Sequence, residues 1–176
     1  MGGGTAGGNR GHQRDGGLGF SGGAYNAVVA MGINNDGVIV GWGASFGLLW
    51  TPLPLLMVQI DIMPGTFPNT IHLSSKGNVP VAILSTRDFD ARTVDPLTVT
   101  LRAGPAVPAS YVLLKADGKP IVEFEDVNKD RRLDLVVHFD PQSLHVPIGD
   151  SSMTLTGATF TRSLAIEGTD SVHVTE

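Results

Sequence analysis

The sequence predicts an all-β protein whose main part is an antiparallel β-sandwich. Apolar and polar residues alternate with period two in short segments such as 58–63 and 98–102, as half-buried strands require. Glycine and proline turns separate these segments, and no window of twelve residues has a helical period. Regularly spaced short strands joined by such turns are typical of sandwiches and barrels.

Three parts are predicted along the chain. Residues 1–24 are rich in glycine and almost free of large apolar side chains, so we expect a flexible segment whose ordering entropy nothing offsets. Residues 25–54 are expected to form a small β-sheet appendage. Residues 55–176 carry the sandwich, and Pro52 and Pro54 mark the boundary because proline disrupts both helices and strand pairing.

The appendage is expected to hold three strands. Residues 28–33 and 38–42 are apolar, and the turn at 34–37 is predicted from asparagine and Asp-Gly, which supply the positive φ angles of tight hairpins. Residues 46–50 are a candidate third strand. Three short strands do not make a stable domain by themselves, so this part needs a neighbour.

The sandwich is built from segments that share short length and β-type composition. They cover residues 58–63, 71–73, 79–84, 98–102, 111–114, 121–124, 133–139, 153–156, 164–166 and 171–174. Segment 79–84 is almost continuously apolar, which predicts a strand covered on both faces. Segments 111–114 and 121–124 flank an Asp117-Gly118 turn.

Composition excludes several function classes. The net charge of -5 argues against a nucleic-acid partner, which would require a basic stripe. The absence of cysteine excludes disulfides, thiolate zinc sites and cysteine nucleophiles. The most apolar segment, 48–63, is broken by Pro52, Pro54 and Asp61, so no membrane span is predicted. No signal-peptide pattern is present, which predicts either an intracellular chain or a precursor whose start is missing.

A single stretch has the chemistry of a specific site. Oxygen-bearing side chains at Asp126, Asn128, Asp130 and Asp134 occupy positions one, three, five and nine of a loop. Calcium takes six to eight oxygen ligands from carboxylates, amides, carbonyls and water. These four side chains, with the backbone carbonyl of Arg132 at position seven, are therefore predicted to bind Ca²⁺.

The loop departs from a helix-flanked calcium site in two ways. Position twelve is Val137 rather than an acid, and the flanking segments are β-rich, so we expect a loop carried by a β-hairpin. Arg131 stands at position six, where a left-handed turn favours glycine, so we expect modest affinity. The alternative is a solvated acidic turn closed by side-chain hydrogen bonds to backbone amides.

Several other residues are candidates for a functional site. Asp61 and Asp150 lie beside turns and are candidates either for additional ligands or for backbone caps. Trp42 and Trp50 are candidates for a sugar-stacking platform or for a buried interface. Ser45 lies in a Gly-x-Ser-x-Gly pattern that no helix follows, so a hydrolase nucleophile is not predicted. The five histidines are expected at the surface.

Residues 25–53 resemble one HAF-type extracellular repeat. The residues that carry the resemblance are Gly32-Ile33-Asn34, Gly37, Val40-Gly41 and Leu49-Trp50-Thr51-Pro52. Such repeats occur in tandem, so the resemblance implies a longer array and a longer parent chain whose other domains are the partners of this one.

Residues 58–174 resemble a calcium-loop β-sandwich module of proteins secreted by bacteria. The matching residues are Ile60 to Gly65, Pro68-Asn69, Val79 to Leu84, Phe89-Asp90, Thr93 to Pro96, Glu125 to Asn128, Val137 to Phe139, Gly149-Asp150, Leu155 to Gly157 and Ile166 to Asp170. Arg131 and segment 107–117 depart from the pattern. The resemblance implies a non-catalytic accessory module at the cell surface or outside the cell. A module that binds carbohydrate or the cell surface through Trp42 and Trp50 is the alternative.

Overall fold

The structure is a computed structural model that describes residues 29–35, 37–43 and 46–176. It divides into two units, one ending at Thr51 and the other formed by Pro52–Glu176. The predicted flexible segment 1–24 lies outside the described residues.

The smaller unit contains a three-stranded antiparallel sheet. Its strands are β1 (Val29–Ile33), β2 (Ile39–Gly43) and β3 (Phe46–Trp50), in that spatial order. In the first turn, Gly37 has a φ of 75°, and the Asn34 side chain accepts a 2.9 Å hydrogen bond from the Val38 amide. The predicted strands and the turn residues that the structure describes are therefore confirmed.

The larger unit contains ten strands. They are β4 (Leu55–Met57), β5 (Ile60–Ile62), β6 (Thr70–His72), β7 (Val79–Ile83), β8 (Thr100–Arg102), β9 (Ser110–Tyr111), β10 (Val122–Glu125), β11 (Asp134–Phe139), β12 (Gly149–Ala158) and β13 (Ala165–Thr175). Helical structure in this unit consists of single 3-10 turns at Ala91–Thr93, Pro96–Thr98 and Pro141–Ser143. Each turn begins after an aspartate whose carboxylate accepts a backbone amide, which satisfies a donor that the short helix leaves free.

These strands form two sheets. The first has the order β10-β11-β7-β5 and is antiparallel throughout. The second has the order β4-β13-β12-β8-β9, with β6 also beside β13. Strands β4 and β6 run parallel to β13, and the other neighbours in this sheet are antiparallel.

One hydrophobic core lies between the two sheets. Its fully buried side chains include Ile83 and Leu135 from the first sheet and Leu101, Leu155 and Ile166 from the second. Side chains from both inner faces thus share one core, which is the arrangement of a β-sandwich. The predicted fold class is confirmed.

Strand β7 is buried on both faces, as its apolar sequence predicts. Val81 and Ile83 belong to the core, and Ala82, which points the other way, is also fully buried. On the neighbouring strand, Val136 pairs with Ala82 and is 5% exposed. The outer face of the first sheet is therefore apolar at its centre.

Several predicted strand boundaries were wrong. Segment 153–156 lies within the longer β12, and segment 111–114 overlaps only the end of β9. Within segment 58–63 only Ile60–Ile62 forms a strand, because the Val58 amide still donates to the Glu167 carbonyl of β13, whereas β5 pairs with β7 in the other sheet. The predicted segments 164–166 and 171–174 are parts of one strand, β13, which continues through Gly168. A Cβ atom on Gly168 would lie 2.7 Å from the Val58 carbonyl oxygen, so this glycine permits a close approach rather than ending a strand.

Candidate metal-binding loop

The acidic loop joins two antiparallel strands of the first sheet. Strands β10 and β11 pair from Val122 opposite Val137 to Glu125 opposite Asp134. The loop is thus closed at its base by the Glu125–Asp134 pair. The predicted β-hairpin is confirmed, and strands, not helices, flank the loop.

The backbone of the loop turns through the left-handed region twice. Lys129 has a φ of 62°, and Arg131 has a φ of 71°. Position six of the loop therefore has the backbone conformation that its spacing predicts, although it bears an arginine. Left-handed geometry costs a residue with a Cβ atom about 1–2 kcal/mol.

Side-chain oxygens in the loop accept backbone amides that would otherwise be unpaired. Asp126 accepts the amides of Asp130 and Arg131, each at 2.9 Å. Asn128 accepts the Asp130 amide at 3.1 Å, and Asp130 accepts the Arg132 amide at 2.9 Å. Hydrogen bonds to a charged acceptor contribute roughly 1.5–3 kcal/mol each, and less where water competes. They offset the strain of the two left-handed residues.

Asp134 anchors the loop to the interior. Its side chain is fully buried, and its two oxygens accept the amides of Ser85 at 2.7 Å and Val127 at 3.0 Å. The Ser85 hydroxyl in turn donates to the Leu133 carbonyl at 2.7 Å and accepts the Ala91 amide at 2.9 Å. Asp134 and Ser85 together fix the loop to the segment that follows β7.

The five predicted metal residues lie in this one loop, but their acids do not form a ready-made cluster. Among the described residues, no three acidic, histidine or cysteine side chains are placed to hold a metal ion. The donor chemistry fits calcium, since each carboxylate oxygen that accepts one amide keeps a second lone pair. A cation would have to draw the oxygens of Asp126, Asn128 and Asp130 and the Arg132 carbonyl towards one centre.

Asp61 and Asp150 lie away from the loop. Asp61 is on β5, two strands from β11 and hence about 10 Å across the sheet. Burial raises the pKa of Asp61, and the negative charge of Asp170 raises it further. Asp150 is on β12 in the other sheet, where its carboxylate lies 2.7 Å from Nδ1 of His173.

The other predicted site residues and the histidines differ in what the structure describes. The described part of the chain does not include Ser45, His12 or the side chains of Trp42 and Trp50. Three histidines are exposed, as predicted: His72, His145 and His173. His138 points away from the core as expected, but both of its ring nitrogens are buried without a hydrogen-bond partner among the described residues.

The chain matches no protein-family model, no curated protein and no solved structure. Within the residues that the structure describes, no helix is long and apolar enough to cross a membrane.

Proposed function

We propose that this chain is a non-catalytic structural module that calcium stabilises, and that it serves a larger secreted bacterial protein at the cell surface or outside the cell. The observation that carries the proposal is the loop from Asp126 to Asp134. Its side-chain oxygens follow the spacing of calcium ligands, and position six adopts the left-handed turn of such loops.

The ligands of the proposed site are the side chains of Asp126, Asn128 and Asp130 and the carbonyl of Arg132, with Asp134 binding the ion directly or through a water. The bound ion would supply positive charge that holds these oxygens together and so stiffens the β10–β11 hairpin. Lys129 and Arg131 add positive charge to the same loop, which weakens cation binding. A dissociation constant on the order of 0.1–1 mM, as in extracellular calcium modules, fits this composition and the proposed location.

Thermal unfolding with and without calcium tests the proposal. Calcium is removed with a chelating resin and then restored at a hundredfold excess over its dissociation constant, which should stabilise the fold by about 2.7 kcal/mol. Asp130→Asn keeps an oxygen to accept the Arg132 amide but removes the charge. It should lower calcium affinity while leaving the calcium-free melting temperature nearly unchanged.

Asp88→Asn is the matched control, since Asp88 is an exposed aspartate outside the loop. It should respond to calcium as the parent protein does. Equal melting temperatures of the parent protein in calcium-free and calcium-containing buffer would refute the calcium proposal.

A further inference from the structure

A cavity of about 300 Å³ lies beside the acidic loop. The end of the loop forms one wall, and the segment that follows β7 forms the other. Its lining includes Phe89, Asp90, Arg92, Arg131 and Arg132. The Ser85 amide donates to Asp134 and the Ser85 hydroxyl donates to the Leu133 carbonyl, and these two hydrogen bonds hold the walls together. The cavity is therefore built on a fixed part of the fold.

The lining of this cavity is positively charged on a protein that is acidic overall. Three arginines and Asp90 line it, and Asp130 pairs with Arg132 beside it, which gives a local net charge of three minus two, or +1. The whole chain has a net charge of -5. A local excess of positive charge in a concave site attracts anions and raises their local concentration.

The three guanidinium groups differ in how much of their hydrogen-bonding capacity is used. Arg92 donates through Nε and Nη2 to the Asp90 carboxylate, with Nη2 at 2.7 Å. Arg132 donates through Nη1 to Asp130 at 3.0 Å. No hydrogen bond or ion pair engages the Arg131 side chain within the described part of the chain, so its five donors are available to a ligand.

Among the four described non-glycine residues with a positive φ, only Arg131 lines the cavity. It has a φ of 71°, a conformation that glycine adopts without strain. Strained residues tend to cluster at active sites and ligand sites. Here the strained residue contributes the free guanidinium to the cavity, whereas a glycine would leave the cavity without it.

We propose that this cavity binds an oxyanion group (a carboxylate, sulfate or phosphate) and that Arg131 is its principal binding residue. A planar guanidinium donates two parallel hydrogen bonds to such a group. The cavity volume lies at the lower end of ligand pockets, which suits one anionic group on a ligand of about monosaccharide size. This site requires no calcium and is independent of the proposed structural role.

Calorimetric titration of the whole chain tests the proposal with three probes: inorganic sulfate, inorganic phosphate and glucuronate. The buffer is freed of calcium with a resin, because soluble chelators are polyanions that would compete for the site. The parent protein should bind at least one probe saturably, and the order of affinities identifies the preferred oxyanion. Arg131→Gly should weaken that binding about tenfold or more, the effect of losing charged hydrogen bonds.

Lys129→Gly is the matched control. Lys129 has the same charge, lies in the same loop and is also left-handed, with a φ of 62°, but it does not line the cavity. Both glycine variants should melt at a higher temperature than the parent without anion, because glycine relieves the strain. Lys129→Gly should retain binding within about threefold, as expected for the loss of a nearby exposed charge that does not contact the ligand.

Two results would overturn the proposal. One is the absence of saturable binding of all three probes by the parent protein. The other is equal affinity of Arg131→Gly and the parent, or an equal loss in Arg131→Gly and Lys129→Gly, which would show general charge attraction only. Near-ultraviolet circular dichroism confirms that each variant is folded. Neither result depends on whether calcium stabilises the loop.

Discussion

The Asp134 carboxylate accepts a 2.7 Å hydrogen bond from the Ser85 amide, which lies 49 residues earlier in the chain. Asp134 is fully buried, so water cannot replace this partner. The bond connects the start of β11 to the segment after β7 and thereby positions both the acidic loop and the neighbouring cavity. Asp134 therefore has a structural role whether or not it binds an ion.

Replacing Asp134 with alanine should destabilise the fold by about 3–5 kcal/mol, because the buried Ser85 amide and the part-buried Val127 amide lose a charged acceptor. Denaturant unfolding in calcium-free buffer measures this loss. Asp88→Ala, an exposed change of the same size, should stay within about 0.5 kcal/mol of the parent. A similar small effect of Asp134→Ala would show that the buried hydrogen bonds contribute little.

Asp61→Asn should stabilise the protein at neutral pH. Burial and the Asp170 charge raise the pKa of Asp61, so the folded state holds its proton more tightly than the unfolded state. The charge of Asp61 therefore lowers the free energy of unfolding. This loss is absent below about pH 4, where an aspartate ordinarily holds its proton. It grows as pH rises through the raised pKa and is complete above it.

The predicted pH dependence is tested by measuring the free energies of unfolding of Asp61→Asn and the parent from pH 3 to pH 7. The gain at pH 7 should be of the size of an exposed charge interaction, about 0.5 kcal/mol, and should vanish at pH 3. Asp88→Asn makes the same charge change as a control. A gain that does not vary with pH would contradict the electrostatic cause.

Gly168→Ala should destabilise the sandwich by about 1–3 kcal/mol, the usual cost of overpacking. The added Cβ would lie 2.7 Å from the Val58 carbonyl oxygen and 2.7 Å from the Ile60 side chain. Gly104→Ala is the control, because the nearest atom to its new Cβ is 4.0 Å away. Urea unfolding of the two variants compares them, and equal stabilities would show that β4 and β5 shift freely.

His138→Phe should preserve or raise stability, by up to about 1 kcal/mol. Both ring nitrogens of His138 are buried without a hydrogen-bond partner among the described residues, and the nearest acid oxygen, on Glu123, is 4.0 Å away. An apolar ring of similar volume removes unpaired polar atoms. His145→Phe, at an exposed site, is the control. Chemical denaturation measures the free energy of unfolding of both variants. A decrease of more than 1 kcal/mol in His138→Phe would show that the imidazole makes a stabilising polar contact.

Local patterns in the sequence were sufficient to predict the sandwich and the hairpin that bears the acidic loop. The left-handed turn at Arg131 follows from the loop register, because its spacing places a turn at position six. The turn at Asp117-Gly118 also follows from local chemistry, since Gly118 has a φ of 80°. Each of these features depends on residues that are close in the chain.

Long-range relationships were not predictable from one sequence. The Asp170 carboxylate accepts the Ile62 amide at 2.9 Å and the Asn69 side chain at 2.9 Å, partners about a hundred residues away. Gly168 and Asp170 have the composition of a turn, so the sequence pattern divided β13 in two. The role of Asp134 as an anchor was likewise hidden, because no local signal identifies Ser85 as its partner.

The position of β13 governs the order in which the chain can fold as it is synthesised. Leu55 in β4 pairs with Ala165, and Thr70 in β6 pairs with His173. Neither early strand can therefore pair until β13, about a hundred residues later in the chain, has been synthesised. Their edges stay unpaired on the ribosome until β13 emerges. Such distant pairing slows folding and exposes strand edges to aggregation. The second sheet therefore gains β4 and β6 only after β13 is in place.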